Sequence, residues 1–247
     1  GNLIIADALV VKGAPANGSS VMVGGDLSVA GTAGATGADN RINVNFTASK
    51  AHTLSAGGAL YICQFSVGAG GVVNVSGTGD TPVIHTGSLN GGGVSLAAGS
   101  LLNLGAAKLS VDHSGTINPQ GGSGRVAVDG GNLFIRSESA QPFNLAFDSE
   151  LHILDSLWIN VAGPGVTVHS PLSISGLVKI KGGKLNAAGF VTLLSRPEGT
   201  ASIAEIEGDG VIIGNIKVQK YLAPYGTSWR ELSTAVSGVK VVDWQNF

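Results

Sequence analysis

Residues able to do chemistry are few in this chain, and they are scattered. Hydrolysing a sugar chain takes two carboxyl groups, one giving a proton and one acting as base or nucleophile. The closest local couple is Asp148-Ser149-Glu150, whose spacing of two puts both side chains on one face of a strand. Its place directly after Phe147 reads more simply as a polar turn. Asp112-His113-Ser114-Gly115 holds the letters of a hydrolase triad. Neighbours along a strand point to opposite faces, so these side chains cannot converge as a triad requires, and the segment reads as a loop. His52, His85, His113, His152 and His169 show no paired spacing for zinc. Gly121-Gly122-Ser123-Gly124 opens like a calcium-binding nonapeptide repeat, but Val126 stands where that repeat needs Asp. Thr-x-Thr does not occur, so a flat threonine ladder of the ice-binding kind is a poor fit. Phosphate cradles need a strand, a Gly loop and then a helix, and no convincing amphipathic helix precedes residue 220. The expectation is a non-enzyme with no cofactor and no metal.

The elements that would position any such residues follow one local pattern, an apolar residue, any residue, then an apolar residue. Leu27-Ser28-Val29, Phe65-Ser66-Val67, Val94-Ser95-Leu96, Leu109-Ser110-Val111, Leu133-Phe134-Ile135, Leu151-His152-Ile153, Leu157-Trp158-Ile159 and Leu172-Ser173-Ile174 all show it. A period of two means a strand with one buried face. Between the triplets stand Asn90-Gly91-Gly92-Gly93, Asp129-Gly130-Gly131 and Gly182-Gly183, residues that reach positive φ cheaply and mark tight turns. Many short strands with Gly turns build either a sandwich or a solenoid. A sandwich wants longer strands and larger core residues. Here aromatics are 5% and the inward positions are small and aliphatic, which suits the narrow interior of a parallel β-helix. Leu109, Leu133, Leu157 and Ile180 also recur at steps of about 24, within the range of repeat proteins, although the N-terminal third does not keep that register. The predicted fold is all-β, a β-solenoid.

Composition bounds the rest. The 247 residues include 39 Gly and 12% charged residues, about twice and about half the usual shares. Apolar runs are too short to span lipid, which takes about 20 residues in a row, so membrane insertion is not expected. Hydrophobic content of 43% is ample for a core and speaks against disorder. With a net charge of −2 and no Lys/Arg stripe, nucleic acid is a poor partner. The lone Cys63 reads as a small buried apolar side chain. No signal peptide is visible and the chain begins Gly1-Asn2-Leu3, so a mature or excised segment is expected.

The character changes near residue 195. Ser195-Arg196-Pro197-Glu198-Gly199-Thr200 breaks the pattern, charge rises, and Trp229 and Trp244 follow. The division is 1–194 as the Gly-rich solenoid body, 195–222 as its last coils, and 223–247 as a cap or the start of a following β-sandwich domain. Trp229 is expected to close the last coil, packing on aliphatic residues such as Ile213 or Val218, with Arg230 in a polar contact nearby. Phe134, His152 and Trp158 are each the middle member of a triplet. Alternation points them outward, where exposed aromatics could form a sugar platform or a protein contact.

One stretch carries a family likeness. Phe190-Val191-Thr192-Leu193-Leu194-Ser195, Gly199-Thr200-Ala201-Ser202-Ile203, Gly214-Asn215-Ile216-Lys217-Val218-Gln219-Lys220-Tyr221 and Trp229-Arg230-Glu231-Leu232-Ser233 form a series over residues 188–247. The series resembles a recurring segment of large secreted surface proteins of the Bacteroidota, adhesin-like cargo of the type IX secretion system. In this chain Lys220-Tyr221 stands where that family usually has Arg-Tyr. The resemblance implies an extracellular, cell-surface location and a Gly-rich β-repeat followed by a β-sandwich. A weaker likeness, through Gly24-Gly25-Asp26-Leu27-Ser28-Val29-Ala30-Gly31, is to the β-helices of filamentous haemagglutinins. The expectation is therefore a structural or adhesive module, a stalk or filament-building solenoid. Its partners would be other domains or copies of the same surface protein and surface polysaccharide. The alternative is a carbohydrate-binding module or a pectin-lyase-like, polysaccharide-active β-helix.

Overall fold

The structure is a computed structural model that describes residues 3–5, 20–33, 42–47, 49–77, 83–89, 91–119 and 123–222. Trp229 and Arg230, expected to cap the stack, lie outside the described residues, as does all of 223–247. The described residues are all-β and contain no helix. Their strands are parallel and stack coil upon coil as a β-solenoid, with one short antiparallel exception.

Each coil crosses three faces, with strand structure on each. The first face runs through Leu27–Val29, Ala51–Ala56, Val72–Gly77 and Leu101–Asn103 to Val191–Leu193 and Ile216–Val218. The second runs from Ser20–Val23 through Ile42–Phe46 to Gly93–Leu96 and Thr116–Pro119. Phe143–Leu145, Val166–Val168, Lys184–Asn186 and Val211–Ile213 form a further parallel ladder in the later coils. The third face starts at Leu60 and passes through Val83–Thr86 and Lys108–His113 to Ser202–Ile203. In three successive coils one strand bends from the first face to the third without a loop. These are Arg125–Ser137, Phe147–Val161 and Leu172–Gly182. The register slips at Asp129/Gly131, where a bulge turns the corner.

Alternation and stacking together explain the core. Inward residues of one coil sit under those of the next, so ladders of like side chains run through the molecule. On the third face the ladder is Leu60, Ile84, Leu109, Leu133, Leu157, Val178 and Ile203, at steps of 24, 25, 24, 24, 21 and 25 residues. The first six of these are buried. Two sequence expectations change here. The coil after Leu157 is shorter, so Val178 lies on Leu157 while Ile180 lies on Ile159. On this face the register also reaches back to Leu60, into the N-terminal third. Nor is the interior only aliphatic. Phe46, Phe65, Phe143 and Phe147 are fully buried, and Phe46 packs on Phe65 and on the buried ring of His52 with centroids 5.6 and 5.2 Å apart.

Backbone approach fixes some glycines. Gly93 has φ +110°, and a Cβ there would run into the Thr116 carbonyl of the next coil. Near the last coil, Ser195–Arg196 and Gly199–Thr200 pair as the antiparallel hairpin that interrupts the triplet pattern. Ile203 and Val218, ladder members of that coil, are 38% and 43% exposed, whereas Val178 and Leu193 beneath them are 0% and 4% exposed.

Candidate functional site

The third face carries the polar chemistry on its outer side. Leu109 and Val111 point inward, so Ser110 and Asp112 point outward by alternation. Stacking then builds two outer rows. One is Tyr61, His85, Ser110, Phe134, Trp158 and Lys179. Beside it run Asp112, Arg136, Asn160 and Gly182.

In the first row the rings serve one another. Tyr61 and His85 stack with centroids 4.7 Å apart and planes 11° from parallel. Phe134 meets Trp158 edge-on at 5.4 Å, and the Lys179 ammonium lies 5.2 Å from the Trp158 ring centroid. Lys179 and Lys181 both reach Glu207, at 3.1 and 3.4 Å. The bond from Lys179, chiefly, holds the Glu207 carboxyl below its usual value. Two of the three residues expected on the surface, Phe134 and Trp158, are therefore brought together. The third, His152, is not. It pairs with Val128, a buried core residue, and its Nδ1 is buried without a hydrogen-bond partner. Alternation fails at Leu151-His152-Ile153 because of the turn before it and the bulges opposite. Leu151 is exposed and Leu154 is the fully buried residue.

Ser110 is the small residue in the row of rings, and the space beside it holds a buried carboxylate. Asp112 accepts from His85 Nδ1 at 2.9 Å, from Ser110 Oγ at 2.9 Å and from Arg136 Nη2 at 3.0 Å. Arg136 Nη2 also donates to Ser110 Oγ at 3.0 Å. Burial pushes the Asp112 carboxyl upward and is the largest single influence. The bonds from His85 and Ser110 and the charges of Arg136 and His85 together outweigh it, so the carboxyl sits below its ordinary value. With Nδ1 turned to the carboxylate, the Nε2 edge of His85 is left facing away from it. Asp112 thus finds its histidine one coil away at His85. The adjacent His113 is held in a left-handed turn at φ +54°, its carbonyl accepting from Ser137 Oγ at 2.7 Å.

A groove of about 810 Å³ opens along this side of the stack, lined among others by His85, Asp112, Arg136, Glu138, Asn160 and Asp209. Gly182 contributes to its floor. A Cβ at that position would stand 3.0 Å from Asp209 Oδ1 and 3.2 Å from Asn160 Oδ1. Sequence reasoning missed this cluster, because its members are separated by one coil each and only the coil register reveals them.

The other motifs resolve locally. Asp148 Oδ1 accepts from the Glu150 and Leu151 amides at 2.9 and 3.1 Å, a polar turn that holds its carboxyl below the usual value. Cys63 is buried and its thiol donates to Ser88 Oγ at 3.4 Å. Among the described residues no group of three or more His, Cys, Asp or Glu could hold a metal ion. No helix there is long and apolar enough to cross a membrane. Compared with family models, with curated proteins and with solved structures, the chain matches none.

Proposed function

We propose that this chain is an extracellular structural and adhesive module of a large bacterial cell-surface protein, of the adhesin-like kind exported by Bacteroidota through type IX secretion. The observation that supports it is the parallel stack itself. Each coil buries its neighbour, so stability accumulates coil by coil and length is not limited by a single core. The residue series over 188–247 supplies the family expectation. Antibodies raised against this chain should label intact cells of the source organism, and an in-frame deletion of the segment should reduce attachment to surfaces. Label that appears only after lysis sinks the reading.

A polysaccharide-active enzyme is the second reading, favoured by one observation, the His85–Asp112 pair in an open groove. It requires release of sugar products from a polysaccharide, lost on His85→Ala. No release from any neutral or acidic polysaccharide counts against it.

A further inference from the structure

We propose that the groove on the third face is a binding site for a neutral polysaccharide strand, laid along the axis of the solenoid. The inference rests on the adhesive reading above and names the ligand class and the residues. Length is the first argument. Tyr61, His85, Asp112, Arg136, Asn160, Gly182 and Asp209 line the groove and come from successive coils. At about 4.8 Å between neighbouring strands the groove is roughly 29 Å long, the trough of an extended polymer and not of a small molecule.

Charge is the second argument. The groove holds the acids Asp112, Glu138 and Asp209 and the bases Arg136 and Lys181. Arg136 is paired with Asp112 and Lys181 with Glu207. No positive surplus remains to hold a polyanion, and no unbroken acidic run to hold a polycation. Chemistry is the third argument. The lining offers planar groups that give and accept hydrogen bonds: the half-exposed Arg136 guanidinium, the Asn160 amide, the Glu138 and Asp209 carboxylates and the His85 ring. Such groups match a chain of hydroxyls. A protein partner wants several apolar or aromatic anchors, and here there are only Val161, Ala162 and Tyr61, the last with one ring face already stacked on His85. Nor can a peptide add as a strand on this side, because the backbone groups of the face are already paired to the coils on either side.

The groove is also held in place. Asp112 ties His85, Ser110 and Arg136 into one network across three coils, and Ser137 Oγ shares its one proton between the His113 and Gly115 carbonyls, 2.7 and 2.8 Å away, to fix the rim. A strand binding here meets side chains whose positions are set beforehand.

The test is native affinity electrophoresis of the whole chain in gels cast with a β-glucan, a galactomannan or an arabinoxylan, and separately with polygalacturonate. Retardation is expected in at least one neutral gel. Asn160→Ala and Glu138→Ala change exposed side chains outside the Asp112 network, so the double variant should keep the wild-type melting temperature and bind at least tenfold more weakly. Three results each overturn the site: no retardation in any neutral gel, retardation by polygalacturonate alone, or neutral binding that the double variant leaves unchanged. A failure of these gels with surface labelling and attachment intact removes the groove and leaves the module reading standing. Loss of surface labelling with neutral binding intact does the reverse.

Discussion

Replacing Asp112 by Ala should cost about 3 kcal/mol, far more than replacing the arginine that faces it. The carboxylate is 11% exposed and accepts three bonds, from His85, Ser110 and Arg136. A hydrogen bond to a charged group contributes about 1.5–3 kcal/mol net. The two bonds from His85 and Ser110 lie on the sheltered side and carry most of that. Arg136 is 54% exposed, so its ion pair is worth no more than about 1 kcal/mol after screening by solvent. The expected order of destabilisation is therefore Asp112→Ala, then His85→Ala, then Arg136→Ala.

Acid gives a second readout. The folded carboxyl lies below its ordinary value, so the ionised group stabilises the fold at pH above the unfolded value, about 3.9. That contribution is lost as pH falls through the lower, folded value. The gap between wild type and Asp112→Asn should be full at neutral pH and close only below about pH 4. Urea unfolding at a series of pH values measures the gap. Hydrogen exchange at the amides of Lys108–His113 and its stacked neighbours reads it locally, which matters because long repeat arrays need not unfold in one step. An Arg136→Ala cost equal to that of Asp112→Ala, or a gap that widens in acid, would refute the buried-carboxylate account.

Two further outcomes separate packing from local preference. Gly93→Ala meets both a φ of +110°, beyond the left-handed region open to other residues, and the Thr116 carbonyl, and should cost at least about 2 kcal/mol, whereas Gly99→Ala has a φ of +67°, inside that region, with open space and should cost about 1 kcal/mol. Equal denaturation midpoints for the two would show that the coil contact is not what fixes Gly93. Trp229→Ala should cost about 3–5 kcal/mol if that ring closes the last coil, and should promote aggregation through the uncovered edge. Unchanged melting and monodispersity would show that it is not the cap.

The solenoid was legible because burial imposes it on every coil. Leu109-Ser110-Val111 and Leu133-Phe134-Ile135 alternate in the sequence, the second also alternates in burial, and their step of 24 residues is the coil itself. Legibility fails where one residue more or less is absorbed silently. The shorter coil before Val178 moves Ile180 to another ladder. The bulges around Asp129 and the turn at Asp148 reverse the parity at His152, which no pattern of apolar letters records. The polar cluster was invisible for a different reason. Asp112 is adjacent to His113 and 27 residues from His85, and the coil brings it to the distant one. Adjacency along the chain places neighbours on opposite faces, so in a solenoid the informative separation is one coil and not one residue.

The outer face then poses a question that the core does not. Inward positions are constrained by packing, but outward ones need only shield the coil and stay soluble. Phe134, Trp158 and Lys179 show how little that takes, since three stacked side chains cover one another. One coil earlier that row holds the small Ser110, and beside it stands a buried carboxylate with a histidine, a serine and an arginine around it. Replacing such a network by apolar side chains of similar volume is often neutral or stabilising, so its contribution to stability is weak ground for its presence. What the network does that an apolar ladder could not do is hold His85 and Arg136 along an open polar groove with their remaining hydrogen-bonding capacity directed by geometry. The face therefore divides in kind, with an edge-on ring pair and a lysine covering the coils on one stretch and a costlier polar arrangement beside the groove on the other, and the polysaccharide proposal rests on that second stretch.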